Sequence, residues 1–132
     1  MRSGKIISLH GGGEAVKSFI HVRDVSRGEL AAMERGRPGE IYHLSVDRGY
    51  SIREIVEMIS KLMGRSFDEV TEMVGERPGQ DAVYVISPKK ARDELGWGTR
   101  ITLDEGLSQV HRWVESNWEQ IQKEPLEYEH RR

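Results

Sequence analysis

The sequence has no cysteine, which excludes disulfides, thiol nucleophiles and cysteine-ligated zinc. That usage fits a reducing cytoplasm. Long hydrophobic runs are also missing. The stretch Ile6-Ile7-Ser8-Leu9 is too short for a signal-peptide core, and nothing approaches the roughly 20 apolar residues that cross a bilayer. The expectation is a soluble, cytoplasmic protein with no membrane partner. An excess of one charge is absent too: 20 Lys+Arg stand against 22 Asp+Glu, for a net charge of -2. No global field draws nucleic acid, and no basic stripe interleaves with aromatics. Any anion site must therefore rest on a few placed cations. The 132 residues suit one domain and are too few for a two-domain enzyme.

Several catalytic signatures are missing as well. Gly11 and Gly13 have the first spacing of a dinucleotide-binding turn, but Val16 stands where its third glycine belongs. The residues that follow read as strand rather than helix. No P-loop and no Gly-x-Ser-x-Gly elbow occurs. His10, His21, His43, His111 and His130 are scattered, with no pair at a metal-ligand spacing. A Tyr-x-x-x-Lys pair is absent; Tyr84 and Lys89 lie one residue too far apart for one helical face.

What is present is an interleaving of short strands and helices. Residues 5–9 and 18–22 read as strands, and Asp24 as the cap of a helix running to about Arg35, closed by Gly36. Residues 40–46 have strand composition. Ser51 and Glu54 form a capping box, followed by Ile52, Ile55, Val56, Ile59, Leu62 and Met63 on one helical face. Strands are expected over 68–74 and 82–86, around a polar loop at 76–81. Ser87-Pro88 starts a short helix that Gly96 closes. Thr102 and Glu105 make a second capping box, opening a long helix to about Gln122 that Pro125 terminates. The class is α/β, or α+β as an isolated piece, with about four helices. One domain is expected over 1–122, with a charged tail at 123–132.

Three segments stand out in order. They are Gly11-Gly12-Gly13 through Lys17 to Asp24, then Gly39-Glu40-Ile41-Tyr42-His43-Leu44-Ser45, then Arg77-Pro78-Gly79-Gln80-Asp81 with Tyr84 and Leu95-Gly96-Trp97. In this order and spacing they resemble the C-terminal part of the extended short-chain dehydrogenase/reductase family, the NAD-dependent sugar-nucleotide epimerases and dehydratases. The resemblance runs from about Lys5 to Trp118. It implies a substrate-binding portion that grips a nucleotide-diphosphate sugar, while a separate Rossmann half transfers hydride from sugar C4 to NAD. In the family an Arg after the glycine turn contacts the pyrophosphate; here Lys17 stands there, keeping the charge without the bidentate fork. Arg77 matches the second phosphate ligand unchanged. His43 replaces an Asn that contacts ribose or base. Gln80 and Asp81 complete the implied substrate-binding set. The NAD turn and the catalytic Tyr and Lys have no counterpart, so NAD is expected only in a complete enzyme and this chain alone is expected to be inactive. The alternative is a non-catalytic interaction module that assembles with a Rossmann-domain partner or homodimerises.

Each residue also has a structural reading. Gly11 to Gly13 serve the turn itself, His43 is a strand histidine, Trp97 is a packing anchor, and Arg77 pairs with Glu76 or Asp81.

Overall fold

A computed structural model describes residues 1–124. Pro125 and most of the charged tail lie outside the described residues.

Strand β1 (Ile7–His10) pairs in parallel with β4 (Thr71–Val74), Ile7 opposite Thr71 and His10 opposite Val74. Parallel strands end on the same side, so the loops that follow β1 and β4 emerge together. After β1 the chain turns through Gly11, Gly12 and Gly13, with φ of 53°, 69° and 76°. Glycine takes this left-handed region without steric cost, which explains the triplet. The turn feeds β2 (Val16–Lys17), the centre of a three-stranded sheet. Strand β3 (Tyr50–Ser51) lies antiparallel on one side and β5 (Val83–Tyr84) parallel on the other.

The strand expected at 18–22 does not form: β2 ends at Lys17, and helix α1 (Val22–Arg35) has begun by Val22. Its cap is His21, whose Nδ1 accepts the Arg23 N–H at 3.1 Å, not Asp24. Asp24 already lies inside the first turn and faces inward, fully buried. Its Oδ2 accepts the N–H groups of Arg100 and Ile101, each at 3.1 Å, and Arg27 pairs with its Oδ1 at 2.6 Å. Its own carbonyl accepts the Trp97 indole N–H at 2.9 Å.

Residues 40–46 are likewise not a strand, because no described residue offers them a backbone ladder. Their alternation survives: Tyr42 and Leu44 pack on the core, whereas Ile41 and His43 face out.

Helix α2 (Ile52–Leu62) keeps both arms of its capping box, the Ser51 N–H donating to Glu54 at 2.7 Å and the Glu54 N–H to Ser51 Oγ at 3.0 Å. The strand expected at 68–74 starts later, because the short helix α3 (Phe67–Val70) comes first. Of 82–86 only Val83–Tyr84 pairs. Helix α4 (Lys89–Leu95) has Pro88 at its cap position rather than its first turn, and ends at Gly96. Helix α5 (Leu103–Ser116) starts at the second capping box, as read. It does not run on to Gln122. Asn117 interrupts it, with its side-chain amide donating to the Trp113 carbonyl at 2.7 Å, and α6 (Trp118–Ile121) follows. Six helices are therefore described rather than about four, two of them only four residues long.

The core joins α1 to α4 through Ala31, Ala91, Leu95 and Trp97, with Ile20, Tyr42 and Leu44 packed against it. Gly28 sits at its tightest point. A β-carbon there would lie 2.5 Å and 2.6 Å from the Leu44 methyls and 2.9 Å from Trp97 Nε1. Gly28→Ala is expected to lower stability by about 1–3 kcal/mol despite the better helix propensity of alanine. A urea midpoint at or above the wild-type value would refute this.

The capping carboxylates predict an acid limb. Hydrogen bonds from the Ser51 and Thr102 backbones hold Glu54 and Glu105 below their ordinary value of 4.5. A carboxylate lowered in the fold contributes stability above its unfolded value, and loses it as pH falls through the folded one. The urea midpoint is thus expected to fall from about pH 4.5 downward, and less steeply in the Glu54→Gln, Glu105→Gln double variant. Identical acid limbs for the two proteins would count against the assignment.

Candidate substrate-binding site

The site is built on β2. Lys17 is half-buried, and its Nζ donates to the Asp81 carbonyl at 2.9 Å. That bond ties β2 to the loop after β4, four residues from Arg77. A second tie is the Val16 N–H, which donates to the Ala82 carbonyl at 2.8 Å. The loop closes on itself through the Gln80 N–H to the Arg77 carbonyl at 3.3 Å. Arg77, Gln80 and Asp81 are all exposed. The Arg77 main chain donates to Glu76 at 3.1 Å, and its guanidinium makes no hydrogen bond or ion pair among the described residues.

The structure therefore brings Lys17 together with Asp81 and the loop of Arg77 and Gln80. Asp81 takes part through its backbone, not its carboxylate. His43 stands on a different segment, exposed and without a hydrogen bond from its ring among the described residues. That segment is clamped to α4. Tyr42 donates to Glu94 at 2.8 Å and accepts the Arg37 N–H at 3.1 Å, and Lys90 holds Glu40 at 2.5 Å. Chiefly through the Tyr42 bond, Glu94 is held below the ordinary carboxylate value.

Lys17 also has aromatic neighbours. Lys17 stands opposite Tyr84 in the β2–β5 pair and opposite Tyr50 in the β2–β3 pair. Its Nζ lies 5.7 Å from the centre of the Tyr84 ring, and the Arg48 guanidinium lies 4.3 Å from that of Tyr50. Sequence reasoning noted Tyr84 without giving it a role, and missed Tyr50 and Arg48. The missing signal was register, since residues 17, 50 and 84 become neighbours only through strand pairing.

A cavity of about 380 Å³ opens elsewhere, beside α1, lined by Arg27, Arg35, Trp97 and Arg100 among others. Two of its arginines serve the fold: Arg27 donates to the Gly98 carbonyl at 3.0 Å and Arg35 to that of Leu95 at 3.1 Å.

The profile of the family described as GDP-mannose 4,6 dehydratase matches residues 1–110. The chain belongs to that family. This places it among the extended short-chain dehydrogenases/reductases. It is 32% identical over 125 residues to a dTDP-glucose 4,6-dehydratase of Streptomyces antibioticus, covering 92% of this chain and 37% of the relative. To a UDP-glucose 4-epimerase of Bacillus subtilis it is 32% identical over 108 residues, covering 80% and 31%. Among solved structures, a dTDP-glucose 4,6-dehydratase from Streptomyces venezuelae with NAD bound superposes with a TM-score of 0.84 at 28% identity, over 90% of this chain and 37% of that one. A UDP-glucose 4-epimerase from Thermotoga maritima with UDP-glucose gives 0.82 at 26% identity, over 89% and 37%. The chain thus spans little more than a third of the length of the relatives it matches.

Solved relatives in this family carry NAD, but the glycine turn here does not fit a dinucleotide. A β-carbon on Gly11 would strike the Glu76 carboxylate at 2.0 Å, and one on Gly13 would meet the Arg53 backbone nitrogen at 3.0 Å. The turn opens into β2 rather than into a helix N-terminus, which is where a dinucleotide site holds its pyrophosphate.

Proposed function

We propose that this chain is the nucleotide-sugar-binding portion of an NAD-dependent epimerase or dehydratase, gripping the diphosphate between Lys17 and Arg77. The supporting observation is the Lys17–Asp81 bond, which couples the cation on β2 to the loop that carries the second cation. An ammonium has three donors and the Asp81 carbonyl takes one, so two remain for phosphate oxygens. The exposed Arg77 guanidinium supplies a planar fork for the second phosphate. Loops at the carboxyl ends of parallel strands are the usual place for such a ligand. In this reading His43, Gln80 and Asp81 lie at the margin of the nucleotide. The chain binds and orients a non-reacting diphosphate, and that binding energy favours the reaction at the distant sugar. Redox chemistry belongs to the length of the relatives that this chain does not span.

The test is a titration of the chain with UDP-, GDP- and dTDP-sugars followed by amide NMR shifts. Movement centred on Lys17 and Arg77 is expected; no movement there at millimolar ligand sinks the reading.

A second reading, an interaction module, is favoured by exposed apolar side chains: Met33 is 84% exposed and Ile41 72%, with Leu30 and Val22 also open. Light scattering after size exclusion decides it. A clean monomer with little hydrophobic-dye binding counts against it.

A further inference from the structure

Lysine is a flexible point charge where a fork would position itself, so something else must aim it. Among the described residues, two contacts meet the Lys17 ammonium. One is the Asp81 carbonyl at 2.9 Å, and the other is the face of Tyr84, its ring centre 5.7 Å away. Residues directly opposite in paired strands share a sheet face, so Tyr50, Lys17 and Tyr84 form one row across β3, β2 and β5. Tyr84 is 54% exposed, so its ring is not needed to fill a core. Lys17 is thus flanked in the row by two tyrosines, and its head meets the Tyr84 ring and the Asp81 carbonyl.

We infer that Tyr84 is a positioning residue for Lys17, fixing the ammonium where the diphosphate is bound. This rests on the proposed binding of a nucleoside diphosphate. The ring acts through its face, so the hydroxyl is dispensable.

The experiment uses the full chain, with UDP, GDP and dTDP as probes, in wild type, Tyr84→Phe, Tyr84→Leu, Lys17→Arg, and Lys17→Arg combined with Tyr84→Leu. Tyr84→Phe is expected to leave affinity within about twofold, while Tyr84→Leu weakens it roughly threefold to fivefold. In the Lys17→Arg background the Tyr84→Leu loss shrinks below about twofold, because the guanidinium fork sets its own geometry. A separate readout needs no nucleotide. The Lys17 side-chain methylene protons of the free protein are expected upfield, shifted by the Tyr84 ring current, and to return to ordinary values in Tyr84→Leu. Wild-type affinity in Tyr84→Leu overturns the inference. Equal loss in Tyr84→Phe overturns it too, because the hydroxyl then touches the ligand. A loss that persists undiminished in the Lys17→Arg background also overturns it, since Tyr84 then acts on ligand or fold rather than through the cation at position 17. If no wild-type amide responds to any nucleotide, the binding reading fails. An unshifted Lys17 signal overturns the positioning role whatever the nucleotides do.

Discussion

Asp24→Ala is expected to lower the unfolding free energy by about 3 kcal/mol or more, the scale for breaking a buried ion pair. The side chain is fully buried and serves three groups at once: the Arg27 guanidinium and the N–H groups of Arg100 and Ile101. Alanine orphans both backbone donors and leaves Arg27 without its closest counter-charge. The damage spreads, because the same residue's carbonyl holds Trp97 in the α1–α4 core. Against a total stability of roughly 5–15 kcal/mol the loss is large. Asp24→Asn keeps the shape but not the charge, and is expected to cost less than alanine. Urea unfolding followed by tryptophan fluorescence measures both. A loss under about 1 kcal/mol for Asp24→Ala would show that the bonds do not act as an anchor.

Lys17→Met and Arg77→Ala are each expected to weaken nucleoside diphosphate binding by roughly tenfold or more, the scale for a hydrogen bond to a charged group. Neither is expected to shift the urea midpoint much, since Arg77 is exposed and methionine keeps the Lys17 stem. Lys17→Arg is expected to hold affinity or improve it, by supplying a fork. Asp81→Ala is a sharper control. Its contact with Lys17 runs through the backbone carbonyl, so truncating the side chain is expected to change affinity less than about threefold. Calorimetry on the four variants reads all of this. Unchanged affinity in both charge-removing variants would move the ligand elsewhere on the molecule.

Legibility in the sequence followed the range of the interaction. Both capping boxes were readable because Ser51 with Glu54 and Thr102 with Glu105 lie three residues apart and satisfy each other within one turn. The glycine triplet was readable as a turn for the same local reason. Residues 40–46 misled because β composition reports a preference for a ladder, not the presence of a partner. Asp24 misled because Asp before a helical pattern is an ordinary cap, and nothing local announces a loop 76 residues away waiting for its carboxylate. Asn117 broke a face that looked continuous, by a side-chain bond that apolar periodicity does not weigh.

By itself the absence of cysteine excluded disulfides and thiol chemistry, and the near-balance of charge required any anion site to rest on placed cations. The ordered motifs pointed to the family and named Lys17 and Arg77. What only the tertiary structure decided is what surrounds Lys17. The Lys17 head meets the Asp81 carbonyl and the Tyr84 ring, and Tyr50 stands beside it. These contacts join positions 17, 50, 81 and 84, and the register that makes them neighbours is set by non-local strand pairing, which no local pattern encodes.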